Sequence, residues 1–307
     1  MKEIQDTEIR VIGGELYDSQ SSSGKVPKPN HSHNKSPRKG SPRHSKWRWL
    51  IVCCVLIICA ISALVIYSTR HPSEPEQTVF EKVEQPAQPH PLRNWVAYGD
   101  SLTGYGTLTY DTTVNDIPLR VMRPINATPH LEVGYRCLSD TSNIVLMFQA
   151  ADVRADNMKI VGAFVLQGKP LSWGLSKRGY CAIIDKEVTV GVADNSPLFE
   201  EATERNGDFF RQYPLVDNGT LVENELKAKF IRRALCELEG CIVVVETGTP
   251  ESMHDFAQAL VDIGVSNAIY LVGSTAIAWY TDLDGVGHPS GAWGARAYKN
   301  ISFIIWQ

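Results

Sequence analysis

Residues Leu50 to Tyr67, LIVCCVLIICAISALVIY, contain no charged side chain. With Ser68 and Thr69 the run reaches twenty residues, about 30 Å as a helix, which matches a hydrocarbon core. It follows a long polar leader, exceeds the length of a signal h-region, and precedes no A-x-A-like cleavage site. These features predict an uncleaved transmembrane helix over 49–69 rather than a signal peptide. Trp47, Trp49 and Tyr67 stand where interfacial aromatics belong.

Charge divides around this run. Residues 1–48 hold ten Lys/Arg against five Asp/Glu, and residues 68–307 hold twenty against twenty-nine. The net charge of −4 over 307 residues excludes a uniformly basic nucleic-acid binder. Eight Lys/Arg and no acid between Lys25 and Arg48 place the N-terminus in the cytoplasm by the positive-inside rule, with the C-terminal domain periplasmic or otherwise extracytoplasmic. Residues 1–48 read as a disordered basic tail, since their Ser, Pro, Lys and His content cannot bury enough surface to fold. The basic cluster and the span make membrane lipid an expected partner. Residues 70–95, rich in Pro, Glu and Gln, read as a stalk.

Residues 96–307 form the expected folded domain. Short β-branched runs bounded by Gly, Pro, Asn or Asp predict strands at 107–112, 119–123, 144–148, 160–166, 180–184, 187–192, 230–237 and 241–246. Asp185-Lys186 reads as a hairpin turn. Ser196–Asn206 is a weak helix. A stronger one is capped by Thr249, carries Pro250 in its first turn and stops at Gly264. A strand at 268–272 follows, expected to lie parallel beside 241–246. The fold class expected is α+β, a mixed β-sheet domain with few helices, preceded by a single transmembrane helix. Cys236 and Cys241 flank a hairpin turn, and an oxidising compartment makes a disulfide between them the preferred reading. No CxxC or paired Cys/His spacing points to zinc, so neither metal nor cofactor is expected.

Two motifs bear on chemistry. Tyr98-Gly99-Asp100-Ser101-Leu102 resembles the nucleophile block of GDSL-type esterases, but the late Asp284–His288-Pro289 segment has one residue too many and no Gly-x-Asn-Asp block exists. A serine without a positioned base is a poor nucleophile, so a turn is the favoured reading.

The second motif is a series in fixed order. Gly162-Ala163-Phe164-Val165 is followed by Gly168-Lys169-Pro170 and Trp173-Gly174. Then come Leu215-Val216-Asp217-Asn218-Gly219, Arg232-Arg233-Ala234-Leu235-Cys236, Glu246, Asp262-Ile263-Gly264 and Leu271-Val272-Gly273-Ser274-Thr275. This order over 105–307 resembles the phosphodiester glycosidase family. The resemblance implies an envelope hydrolase, with Arg232 and Glu246 as catalytic candidates and Gly162, Gly273, Ser274 and Thr275 binding substrate. Its implied partner is a glycan or phosphodiester-linked sugar, and nucleic acid is not expected. The family's motif Asn falls on Val161 and its motif Asp on Val272, neither of which can transfer a proton. Two functions therefore stand: a glycosidase of a sugar-1-phosphodiester, or an inactive relative that binds glycan or protein. Trp173, Trp279, Tyr280 and Trp293 are candidates to stack on sugar rings, with core packing the blander alternative.

Overall fold

The computed structural model describes residues 11–12, 91–134, 136–224, 226–293 and 301–307. Apart from Val11–Ile12, the predicted tail, the predicted span over 49–69 and the stalk before Pro91 lie outside these residues. Among the described residues no helix is long and apolar enough to cross a membrane. The transmembrane helix of the expected fold class therefore has no support in the structure.

In chain order the elements are β1 (Val11–Ile12), α1 (Pro91–Ser101), β2 (Gly106–Val114), β3 (Ile117–Ile125), β4 (Pro129–Val133) and α2 (Arg136–Ser139). The middle of the chain holds β5 (Leu146–Gln149), β6 (Val153–Arg154), β7 (Ala163–Leu166), β8 (Lys169–Trp173), β9 (Gly179–Ile184), β10 (Glu187–Val192) and α3 (Leu198–Glu204). Then follow β11 (Asp208–Gln212), β12 (Pro214–Asp217), β13 (Thr220–Leu221), β14 (Arg233–Leu238) and β15 (Cys241–Thr247). The remainder is α4 (Met253–Asp262), β16 (Val265–Leu271), β17 (Ala278–Thr281), β18 (Gly287–Ser290) and β19 (Ser302–Trp306).

The described residues are thus dominated by strands, and the α+β expectation is corrected to a mostly-β fold. Strands were undercounted because several carry polar residues that the core absorbs: β11, Asp-Phe-Phe-Arg-Gln, is buried along its whole length. Residues 91–101 are helical, which places Ser101 at a helix end.

The sheet orders are β13-β12-β16-β14-β15-β3-β2, β10-β9-β11-β7-β8 and β18-β17-β5-β19-β4, with β1 paired to β6. Every pairing between these strands is antiparallel, so the expected mixed sheet is also corrected. β15 and β16 do run in the same direction, but α4 carries the chain over one position and β14 lies between them. Two-residue turns explain the hairpins. Asn115-Asp116, Asp185-Lys186 and Asn218-Gly219 all hold positive φ at both positions, the geometry whose twist matches paired strands. Helix α4 starts one turn later than expected: Ser252, not Thr249, caps it by accepting from the Asp255 N–H at 3.0 Å.

The seven-stranded sheet is the middle layer. Ala234, Cys236, Val243 and Val245 face α1 and α4, meeting Trp95, Phe256 and Leu260. Leu235, Val244 and Ile269 face the other way and meet Phe148, Phe164 and Ile304 of the two five-stranded sheets. This alternation is the period of two expected when both faces of a sheet are covered. Cys137, Cys181, Cys236 and Cys241 are all free thiols. The register explains the lost disulfide: Cys236 lies opposite Val243 and Cys241 opposite Leu238, so the two sulfurs are diagonal rather than paired.

Candidate functional site

The motif positions fall into two places. The first is a buried chain of polar contacts. The Val161 N–H donates to the Asp152 carbonyl at 2.9 Å. Gly162 holds φ +86°, and a Cβ there would sit 3.1 Å from Cβ of Arg211. Lys177 is fully buried; its Nζ donates to Asp152 Oδ2 and, at 2.8 Å, to Gln212 Oε1. It also lies 4.4 Å from the Tyr213 ring centroid. Burial pulls the Lys177 pKa down, and Asp152 works against that shift. The Tyr213 carbonyl accepts from the Tyr270 N–H, and Tyr270 Oη accepts from the Gly273 N–H at 3.1 Å.

Arg232 closes this chain. Its Nε donates to the Glu251 carbonyl at 2.8 Å and another guanidinium nitrogen to the Ala228 carbonyl, with the rings of Phe230 and Tyr270 beside it. The structure therefore links the surroundings of Gly162 to Arg232 and Gly273, but through contacts internal to the fold. The Ser274 N–H donates to the Ile231 carbonyl at 2.8 Å, and the Thr275 carbonyl accepts from Ala292. A Cβ on Gly273 would meet the Ile231 carbonyl oxygen at 2.2 Å, so this glycine serves close backbone packing. Val161 and Val272 are buried.

Glu246 lies elsewhere, in a row of charges. Asp111, Arg120, Glu246 and Arg233 are directly opposed on β2, β3, β15 and β14, so the signs alternate across four strands. Cross-strand opposite charges attract, and their placement in one row on one face follows from the register. Arg120 forms two bonds to Asp111, of 2.7 and 2.8 Å. The same guanidinium holds the Asp111 carboxyl below its usual range, while Asp111 raises that of Arg120. Arg233 is buried; it donates to Glu246 at 2.5 Å, to the Ala276 carbonyl at 2.7 Å and to Ser290 Oγ at 3.0 Å. Arg232 and Arg233 are sequence neighbours on opposite faces, so Glu246 meets the second arginine and not the first.

The β17–β18 hairpin closes over this row. Tyr280 stacks on His288 with centroids 4.5 Å apart, and its hydroxyl stands 3.5 Å from Arg120 Nη1. His288 Nε2 lies 2.8 Å from Asp282 Oδ2. That contact, with the Val286 N–H, keeps the Asp282 carboxyl below the ordinary range. An open groove of about 410 Å³ runs beside the row, lined by Thr112, Thr113, Arg120, Glu246 and Thr247. Such a groove offers hydroxyls, a carboxylate and a guanidinium side by side, the donors and acceptors a polar ligand needs.

Sequence reasoning missed Arg233, Arg120 and Lys177. The period-two rule applied to the Arg232-Arg233 pair would have separated the two arginines; nothing local marks Lys177 as buried. Of the stacking candidates, Trp279 and Trp293 pack edge to face at 5.8 Å, and Trp173 is 66% exposed on edge strand β8. The esterase-like Ser101 donates to the Tyr98 carbonyl at 2.7 Å.

No family model matches the chain, and no curated protein matches it. Solved structures do resemble it. One is the zebrafish N-acetylglucosamine-1-phosphodiester alpha-N-acetylglucosaminidase catalytic domain auto-inhibited by its pro-peptide, at 13% identity and a TM-score of 0.48 over 65% of this chain and 81% of that one. Another is a hypothetical protein from Synechocystis, at 12% identity and a TM-score of 0.50, covering 66% of this chain and 62% of that chain. At such an identity the likeness to the second is one of fold alone.

Proposed function

We propose that the described domain is a glycan-binding relative of the phosphodiester glycosidases, taking a sugar phosphodiester or similar polar glycan along the Arg120–Glu246 groove and turning it over poorly or not at all. The observation that carries this reading is the closed motif cluster. The positions where the related enzymes would need a polar side chain are the buried Val161 and Val272. The neighbouring polar groups are bonded to one another through Lys177, Asp152, Tyr270 and Arg232. A transition state gains only from groups that can reach it, and losing a positioned acid–base group typically costs about 10²–10⁴-fold.

A second reading keeps hydrolysis and moves it to the groove. It draws on Glu246, whose side chain is 23% exposed and is flanked by two guanidinium groups. Full-length protein incubated with a chromogenic N-acetylglucosaminyl phosphodiester separates the two. The binding reading expects no turnover above buffer, together with saturable binding that weakens in Arg120→Ala. Robust turnover abolished by Glu246→Gln establishes the second reading instead.

A further inference from the structure

A cavity of about 580 Å³ lies away from the groove, between β4, the segment before β5 and the β7–β8 turn. Its floor is apolar, formed by the buried Leu131, Cys137 and Ile144. Its rim carries the side-chain amides of Asn143, Gln167 and Gln307 and the imidazole of His130. Among the described residues none of these four side chains has a hydrogen-bonding partner in the protein. The rim is held in place from below. The buried carboxylate of Asp208 accepts the Leu131 N–H at 2.8 Å and the Gln167 N–H at 2.7 Å, joining one wall of the cavity to the other. Tyr105 Oη donates to the Asn143 carbonyl at 2.7 Å and fixes the third side.

We infer that this cavity is a second binding site, for a neutral saccharide. Amide side chains each present a donor and an acceptor, which matches hydroxyl groups that do the same. Two carboxylates, Glu132 and Asp140, and no lysine or arginine stand among the described lining residues, so an anionic ligand is disfavoured. Those carboxylates already accept the Cys137 N–H at 2.8 Å and the Ser142 N–H at 3.0 Å, bonds that hold the backbone of this wall. An apolar floor under a polar rim suits the C–H face of a sugar ring, and the volume lies within the range of small-molecule sites. The site is independent of the groove and of the function proposed for it.

Saturation-transfer NMR on the full chain tests this, with a neutral N-acetylglucosamine disaccharide, a neutral glucose trisaccharide, glucosamine and glucose 1-phosphate as probes. Transfer to at least one neutral probe is expected below about 10 mM, with binding about tenfold weaker in Asn143→Leu with Gln167→Leu. Both side chains are exposed, so a folded variant is expected; circular dichroism checks it, and Asn143→Ala alone serves if the pair misfolds. No transfer from either neutral probe overturns the inference, as does a preference for glucosamine or glucose 1-phosphate. Binding that survives the double variant but vanishes in Arg120→Ala places the sugar in the groove, and also overturns it.

Discussion

The Lys177–Asp152 pair and the Glu246–Arg233 pair are both short ion pairs, yet they differ in what surrounds them. The first is enclosed on both sides, with side chains 2% and 3% exposed, and a glutamine and an aromatic ring complete its shell. The second is graded: Arg233 is as buried as Lys177, whereas Glu246 opens toward the groove and the row continues to the solvent-facing Arg120 and Asp111. A closed pair fixes one arrangement of the chain and has nothing left to offer a ligand. A graded row anchors one end in the core and keeps hydroxyls, a carboxylate and a guanidinium within a ligand's reach. Val161 and Val272, the two motif-like positions that carry valine, lie with the closed pair, and that is why the binding reading is preferred over hydrolysis at those positions.

The largest effect is expected where a charge is forced into the closed region. Val272→Asp with Val161→Asn, the change that would rebuild the family motif, puts a carboxylate and an amide at buried positions whose neighbours are already bonded. The combined cost should be several kcal/mol, seen as a large drop in the urea midpoint and without any gain of phosphodiester cleavage. A stable double variant with new turnover would show that the cluster can reopen. Next comes Lys177→Met, which leaves Asp152 buried and unpaired. A loss of roughly 3–5 kcal/mol is expected, with much of it restored in Lys177→Met with Asp152→Leu, because removing both charges removes the desolvation cost.

This contrast was only half legible in the sequence. Hairpins were readable where turn chemistry is local: Asp185-Lys186 sits between β9 and β10 as expected, and β10 has the predicted bounds. Strand order was not, because nothing in 241–272 states that α4 spans a neighbour instead of joining one. Glu246 was picked as an acid at a strand end, and it does line the groove. The arginine it meets is Arg233 and not the other catalytic candidate, Arg232, since which face a strand's first residue takes depends on where the strand begins. Lys177 was invisible for a different reason: in the sequence it sits in Ser-Lys-Arg-Gly, a solvated turn by composition, and only long-range contacts with Asp152 and Gln212 bury it.

Within the graded row the effects should fall from the core outward. Glu246→Gln keeps the shape but removes the charge facing the buried Arg233. Because Glu246 is partly solvated, the expected loss is about 1–3 kcal/mol, less than for Lys177→Met, measured by the same urea titration. Loss equal to that of Lys177→Met would mean that the row is as closed as the cluster, and the groove would lose its standing as the site.

The smallest effect belongs to the outer end of the row, Asp111→Asn. Arg120 lowers the folded-state pKa of Asp111 below the ordinary 3.8, so the folded protein holds fewer protons at this carboxyl than the unfolded chain does. The pair therefore contributes stability above the unfolded pKa, and that contribution is lost as pH falls through the lower, folded value. Both side chains are well exposed, 43% for Arg120 and 64% for Asp111, and screening by solvent keeps the contribution under about 1 kcal/mol. Unfolding curves at pH 7 should then differ little between the natural protein and Asp111→Asn, with the difference vanishing once pH falls below the lowered, folded-state pKa and shrinking in about 1 M salt. A difference that grows toward low pH, or that ignores salt, would mean that Asp111 is not the solvent-screened end of the row, and the gradient from Arg233 to Asp111 would have to be redrawn.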